Sequence, residues 1–143
     1  MSDLSVFESR EGYLSCTPRE AFFFISDIRN FERFVPQDKI DGWNAGNDSC
    51  SFSVPGLGHV QVAIRDKEEF SRIVFRGKVL SDNNFTLTVE IDERNDHRAA
   101  VRVILKAELN PMLKMIASRP ARQFLELLVD EMEKFRDWDD TNE

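Results

Sequence analysis

No apolar run in these 143 residues approaches the roughly eighteen that a membrane-spanning helix needs. The N-terminus also lacks a basic segment followed by an apolar core, so no secretory leader is expected and the chain reads as soluble and cytoplasmic. Cysteine is scarce. Cys16 and Cys50 have neither CxxC spacing nor a histidine cluster around them, and are expected to be reduced, small apolar residues. HxH and HExxH are missing too, which leaves a metal centre without ligands. Positive charge is in deficit: 19 Lys+Arg against 26 Asp+Glu give a net charge of -7, a field that repels nucleic-acid phosphates and anionic membrane surfaces at long range. Nucleic-acid binding and stable membrane insertion are therefore not expected. GxGxxG and GxxxxGK do not occur, and Pro55-Gly56-Leu57-Gly58 has no helix after it to offer its N-terminus, so it reads as a hairpin turn rather than a phosphate loop. The triplets Asn47-Asp48-Ser49 and Asn84-Phe85-Thr86 match a glycosylation acceptor but mean nothing without a secretory signal. No repeat, low-complexity tract or linker divides the chain, which is one domain's worth of sequence.

Phenylalanine, by contrast, is plentiful, and five of the twelve fall between Thr17 and Pro36. Thr17, Pro18 and Glu20 form a capping box that starts a helix with Ala21, Phe22, Phe24 and Ile25 buried. Three consecutive phenylalanines cannot share one side of a helix, so one of Phe22, Phe23 and Phe24 is expected at the surface. Asp27 caps a second short helix carrying Ile28, Phe31 and Phe34, which Pro36 stops.

Ahead of these helices, Leu4 to Leu14 reads as a first strand with Gly12 as a bulge. After them the period becomes two. Cys50, Phe52 and Val54 alternate with serines, and Val60, Val62 and Ile64 follow the turn. The alternation resumes in Ile73, Phe75 and Val79, in Phe85 to Ile91 beyond the Ser81-Asp82-Asn83-Asn84 turn, and in Ala99 to Leu109 after Arg94-Asn95-Asp96. The expected result is an antiparallel meander with one wet face. Asn110-Pro111 opens a long last helix whose stripe is Ala121, Leu125, Leu128, Met132 and Phe135, with a kink or split near Ser118 caused by Pro120.

The strand-to-helix entry Thr17-Pro18-Arg19-Glu20-Ala21-Phe22, the segment from Ile25 to Pro36 with its aspartate before a short helix, and the long C-terminal helix together resemble the START-like, birch-pollen-allergen-like (SRPBCC) superfamily, including its polyketide cyclase/dehydrase group. The resemblance covers nearly the whole chain. It implies an α+β helix-grip fold, with a curved antiparallel sheet wrapped around the long C-terminal helix and two short helices after the first strand. The domain would span residues 1–137, with residues 138–143 an acidic, frayed tail. It also implies a cavity between sheet and helix, closed at one end by the phenylalanine-rich helices, that binds lipids, polyketides or other hydrophobic molecules.

The expected lining is Phe52, Val54, Val62, Ile64, Phe75 and Leu87, then Val89, Val103 and Leu105, with Met112, Met115, Ile116, Phe124 and Leu128 from the helix. The inward parity of the strands carries no carboxylate, imidazole or amine, which suits a hydrophobic ligand and not proton transfer. No cofactor is expected. Asp66 and Glu68 share the parity of Ile64. Asp66 is the one catalytic candidate, weak because a bulge or the strand's end would turn it to solvent. His59 lies on the wet parity and His97 in a polar turn, both solvated. Lys114, Arg119 and Arg122 form either a solvated helix face or a cationic cluster at the cavity mouth. The leading reading is a ligand-binding module without chemistry. The alternatives are a cyclase or dehydratase with one inward ionisable group of shifted pKa, and a protein-interaction module with a filled cavity and an exposed patch near Phe23 or Trp43.

Overall fold

The computed structural model describes residues 4–35, 38, 40–46, 48–56, 58–79, 83–94, 96–136 and 138. Eight strands among them form one antiparallel sheet: β1 (Leu4–Glu8), β2 (Gly12–Tyr13), β3 (Asp41–Ala45), β4 (Ser49–Val54), β5 (Gly58–Glu68), β6 (Arg72–Val79), β7 (Asn83–Glu93) and β8 (Ala99–Glu108). Their order is β1-β8-β7-β6-β5-β4-β3, with β2 also paired to β8. The helix α1 (Pro18–Ile25) and a 3-10 helix (Ile28–Phe34) separate β2 from β3, and α2 (Pro111–Lys134) ends the fold.

The local signals explain these boundaries. Thr17 Oγ1 accepts from the Glu20 amide, and Glu20 Oε1 accepts from the Thr17 amide at 3.0 Å, a complete capping box. Asp27 Oδ1 accepts from the Arg29 amide at 3.0 Å and starts the 3-10 helix. The buried Asn30 Nδ2 donates to the Phe24 carbonyl at 3.0 Å, tying the two helices together. Asn110 Oδ1 accepts from Leu113 at 2.8 Å to cap α2. Pro36, the proposed stop of the second helix, lies outside the described residues, as do Leu57, Ser81, Asp82 and Asn95 of the three turns.

Strand alternation follows the apolar parity. β4 buries Cys50, Phe52 and Val54, and β7 buries Phe85, Leu87, Val89 and Ile91. The ladder between β5 and β6 shifts register between Ile64 and Asp66, the bulge that the sequence allows for. At Gly77 a Cβ would overlap the carbonyl oxygen of Gln61, so glycine lets β5 and β6 approach closely.

Four features differ from the sequence expectations. The first strand is two strands: the Ser9 amide still donates to the Val103 carbonyl at 2.9 Å, but the Ser9 Oγ, in place of its carbonyl, accepts from Val103 N at 2.9 Å. β3 is an additional edge strand. α2 is continuous through Pro120 and not split near Ser118, whose hydroxyl donates to the Lys114 carbonyl in the turn before it. Trp138, assigned to the frayed tail, is buried: its ring stacks on Phe34 at 5.3 Å between centroids and lies 5.0 Å from Phe135. Asp137 and residues 139–143 lie outside the described part.

Candidate functional site: the hollow under the C-terminal helix

The sheet presents its apolar face to α2, which turns Ala117, Ala121, Leu125, Leu128, Val129 and Met132 inward. Near the first half of the helix this contact is incomplete, because alanine side chains do not span the gap. A hollow of about 40 Å³ remains there, walled by Phe52, Val54, Val60 and Val62 from the β4–β5 hairpin, by Val79, Phe85, Leu87, Leu105, Ala107 and Leu109, and by Phe7 and Phe31. Ala117, Ala121 and Phe124 close it from the helix side. Every one of these residues is apolar. Such a space accommodates a few water-sized groups, about a tenth of the 300–1,000 Å³ of an ordinary small-molecule pocket.

Aromatic rings explain why so little space is left. Phe52 stands at the centre, with Trp43 stacked on it at 5.6 Å, Phe124 at 6.1 Å and Phe31 at 6.4 Å between centroids. Phe124 reaches this file from the helix and is only half-buried. The aromatic bulk of the N-terminal helices serves the same packing: Phe31 also meets Phe75 at 5.5 Å, and Phe24 meets Phe34 at 5.8 Å. Phe23 is the exposed member of its triplet and carries the Arg19 guanidinium 5.2 Å above its ring.

Of the residues expected to line the cavity, the fold brings Phe52, Val54, Val62, Leu87, Leu105 and Phe124 to the hollow. Phe75, Val89, Val103 and Leu128 are buried in the solid part of the core, and Ile64 is half-buried against it. Met112, Met115 and Ile116 are elsewhere: they are 68%, 82% and 54% exposed on the outer side of α2. Their spacing matches a helical face, but it is the face opposite Ala117 and Ala121. Phe7, Phe31, Val60, Val79, Phe85, Ala107, Leu109, Ala117 and Ala121 also line the hollow and are not in the expected set. Phe7 alternates with the exposed Val6 and Glu8 and shares its buried parity with Ser5 and Ser9, whose polarity masks the pattern, and small alanines carry no signal beyond periodicity.

The carboxylate and imidazole candidates lie away from the hollow, while Arg122 of the cationic cluster holds its guanidinium 5.8 Å from the ring of Phe7 in the hollow wall. Asp66 is exposed beyond the β5 bulge, its Oδ1 accepting from the Lys67 amide at 2.9 Å, and Glu68 pairs with Arg72 on the surface. His59 is exposed, and His97, at φ 65°, is exposed with Nδ1 2.9 Å from Glu93. Burial pushes the thiols of Cys16 and Cys50 up to about 12, so both are inert apolar groups at neutral pH. No group of three potential metal ligands occurs among the described residues. A broad depression of about 940 Å³ is an open trough on the opposite face of the sheet, with Ser51, Gln61, Arg76, Lys78 and Thr86 in its floor. Its polar floor and lack of enclosure set it apart from the hollow.

No family model matches the chain, and no curated protein is significantly similar to it. Solved structures are. Norcoclaurine synthase from Thalictrum flavum superimposes with a TM-score of 0.71 at 10% identity, over 93% of this chain and 86% of that one. A protein from Arthrobacter aurescens gives 0.67 at 10% identity, over 90% and 83%. The Mll3558 protein from Rhizobium loti gives 0.60 at 18% identity, over 92% and 99%. At such identities the likeness is one of architecture: the chain has the helix-grip fold of the birch-pollen-allergen type.

Proposed function

We propose that the protein binds a small hydrophobic or amphipathic molecule between its sheet and its C-terminal helix, as a binding module without chemistry of its own. The wholly apolar wall of the hollow carries this reading, because such a wall gains free energy from apolar surface and offers nothing to water. The helix-grip likeness supports it.

At about 40 Å³ the hollow has to enlarge to admit a ligand. Phe124 is the side chain arranged for this, being half-buried, on the helix and stacked on Phe52. Swinging it outward gives up one ring contact and joins the hollow to the edge of α2.

One structural neighbour is by name a synthase. Catalysis of the cyclase or dehydratase type needs an acid or base at the ligand, and the lining of this hollow has none. A second reading, an interaction module with a filled interior, is favoured by the small volume and by the exposed Met112, Met115 and Ile116.

Native mass spectrometry of freshly purified protein and titration with 1-anilinonaphthalene-8-sulfonate separate the two. We expect a bound mass that is lost on denaturation, or saturable dye fluorescence that strengthens several-fold in Phe124→Ala as the hollow opens. Absence of both signals in both proteins overturns the binding reading and leaves the interaction module.

A further inference from the structure

We infer that the outer face of the first half of α2 docks the protein, peripherally and reversibly, on an anionic lipid bilayer. Met112, Met115 and Ile116 are large apolar side chains that the fold leaves in water, while Ala117 and Ala121 of the same turns face the sheet. This half of the helix therefore has two apolar faces, and only one is covered. Arg119 follows Met115 by four residues and Ile116 by three, so it stands on the exposed face among them, and Arg122 lies two turns beyond Met115.

The charge on this face differs from that of the chain. From Asn110 to Arg122 there is no carboxylate; Arg119 stands on the exposed face, Arg122 flanks it with its guanidinium 5.8 Å from the Phe7 ring, and Lys114 lies off it toward the far side of the helix, whereas Glu126, Asp130, Glu131 and Glu133 crowd the second half. The net charge of -7 opposes approach to an anionic surface at long range. At physiological salt that field is screened within about 8 Å, so the groups that touch the lipid decide the outcome. Long cationic side chains can lay their stems beside the methionines and keep their heads among phosphates while the apolar groups enter the acyl boundary.

Other occupants fit less well. A peptide seeks a groove or pocket, and none of the described concavities includes Met112, Met115 or Ile116. No helix among the described residues is long and apolar enough to cross a membrane, so contact through this face is peripheral. The inference does not rest on the ligand-binding reading. If both hold, the docking face and the hollow share one stretch of helix, and the bilayer becomes the source or destination of the ligand.

The test is flotation of the full chain with vesicles of phosphatidylcholine plus phosphatidylglycerol, and with vesicles of phosphatidylcholine alone. We expect recovery with the anionic vesicles to exceed that with neutral ones several-fold and to fall at high salt. The charge reversal Arg119→Glu should weaken binding by about ten-fold, and so should Met112→Ser/Met115→Ser/Ile116→Ser. Both variants should keep the wild-type circular dichroism and melting transition, since the residues are exposed; should the serine variant fold poorly, the charge reversal alone decides. The inference is overturned if the wild type does not float with anionic vesicles, if it floats equally with neutral ones, or if the charge reversal binds like the wild type. Sedimentation showing a stable dimer that the serine substitutions dissociate also overturns it.

Discussion

Gly12 lies against Val129 so closely that a Cβ built on the glycine would stand 2.5 Å from Val129 Cγ1. The β2 strand and the second half of α2 meet here with no room for a methyl group. Gly12→Ala should therefore lower stability by about 1–3 kcal/mol through overpacking. Urea denaturation checks it, and Val129→Ala in the same chain should cost less than the sum of the two single changes, because it vacates the clashing volume.

The same corner is held electrostatically. Arg10 Nη2 donates to Glu133 Oε1 at 2.8 Å and to Asp130, while Glu133 Oε2 accepts from the Tyr13 amide at 2.9 Å. The hydrogen bond from Arg10 holds the Glu133 carboxyl below the usual carboxylate range, against the opposing effect of its partial burial. A depressed folded pKa means that the stabilisation is present above the ordinary glutamate value of about 4.3 and is lost as pH falls from there through the lower folded value. Arg10 is 41% exposed and Glu133 29% exposed, so solvent screening limits the effect to below about 1 kcal/mol. Glu133→Gln should lower the urea midpoint slightly at neutral pH, and the difference from wild type should vanish in acid.

Trp138 closes the aromatic cluster of Phe24, Phe34 and Phe135, and its Nε1 donates to the Phe135 carbonyl at 3.1 Å. Trp138→Ala should cost about 3–5 kcal/mol, as expected for removing a buried indole. It should also remove the blue-shifted part of the tryptophan emission and leave the half-exposed Trp43 as the remaining fluorophore. Fluorescence-detected unfolding measures both effects.

Ser5, 1% exposed, has an Oγ without a hydrogen-bond partner among the described residues, and it pairs with Ala107 of the hollow wall. A buried hydroxyl left unbonded costs about 1–3 kcal/mol, so Ser5→Ala should melt at the wild-type temperature or above it. A lowered melting temperature would mean that the hydroxyl contributes a bond in solution.

These relationships separate what the sequence makes legible from what it does not. The capping box at Thr17, the caps at Asp27 and Asn110, the alternation from Cys50 to Leu109 and the bulge after Ile64 are local signals, each decided by a few neighbouring residues. β3 was not visible because Asp41-Gly42-Trp43-Asn44-Ala45 lacks an alternating set of large apolar residues, and as an edge strand it buries little. Met112, Met115 and Ile116 have the size of core residues, and size alone does not decide burial. Alanines face the sheet where backbones come close, so the large side chains of those turns point outward. Trp138 was hidden by acidic neighbours, since only the three-dimensional cluster gives its ring a place. The apolar character of the interior was legible from parity. Its small volume was not, because that depends on how the rings of Phe31, Phe52 and Phe124 meet.

β3 has a further consequence for the molecule's behaviour in a crowd of its own kind. Its pairing with β4 slips between Asp41 and Asn44, and Gly42 adopts φ 67°. A strand broken in this way offers an arriving chain no straight row of amides to zip onto. The β3 margin of the sheet is thereby blunted against fibre growth, even though the interior strands are rich in valine, isoleucine and phenylalanine.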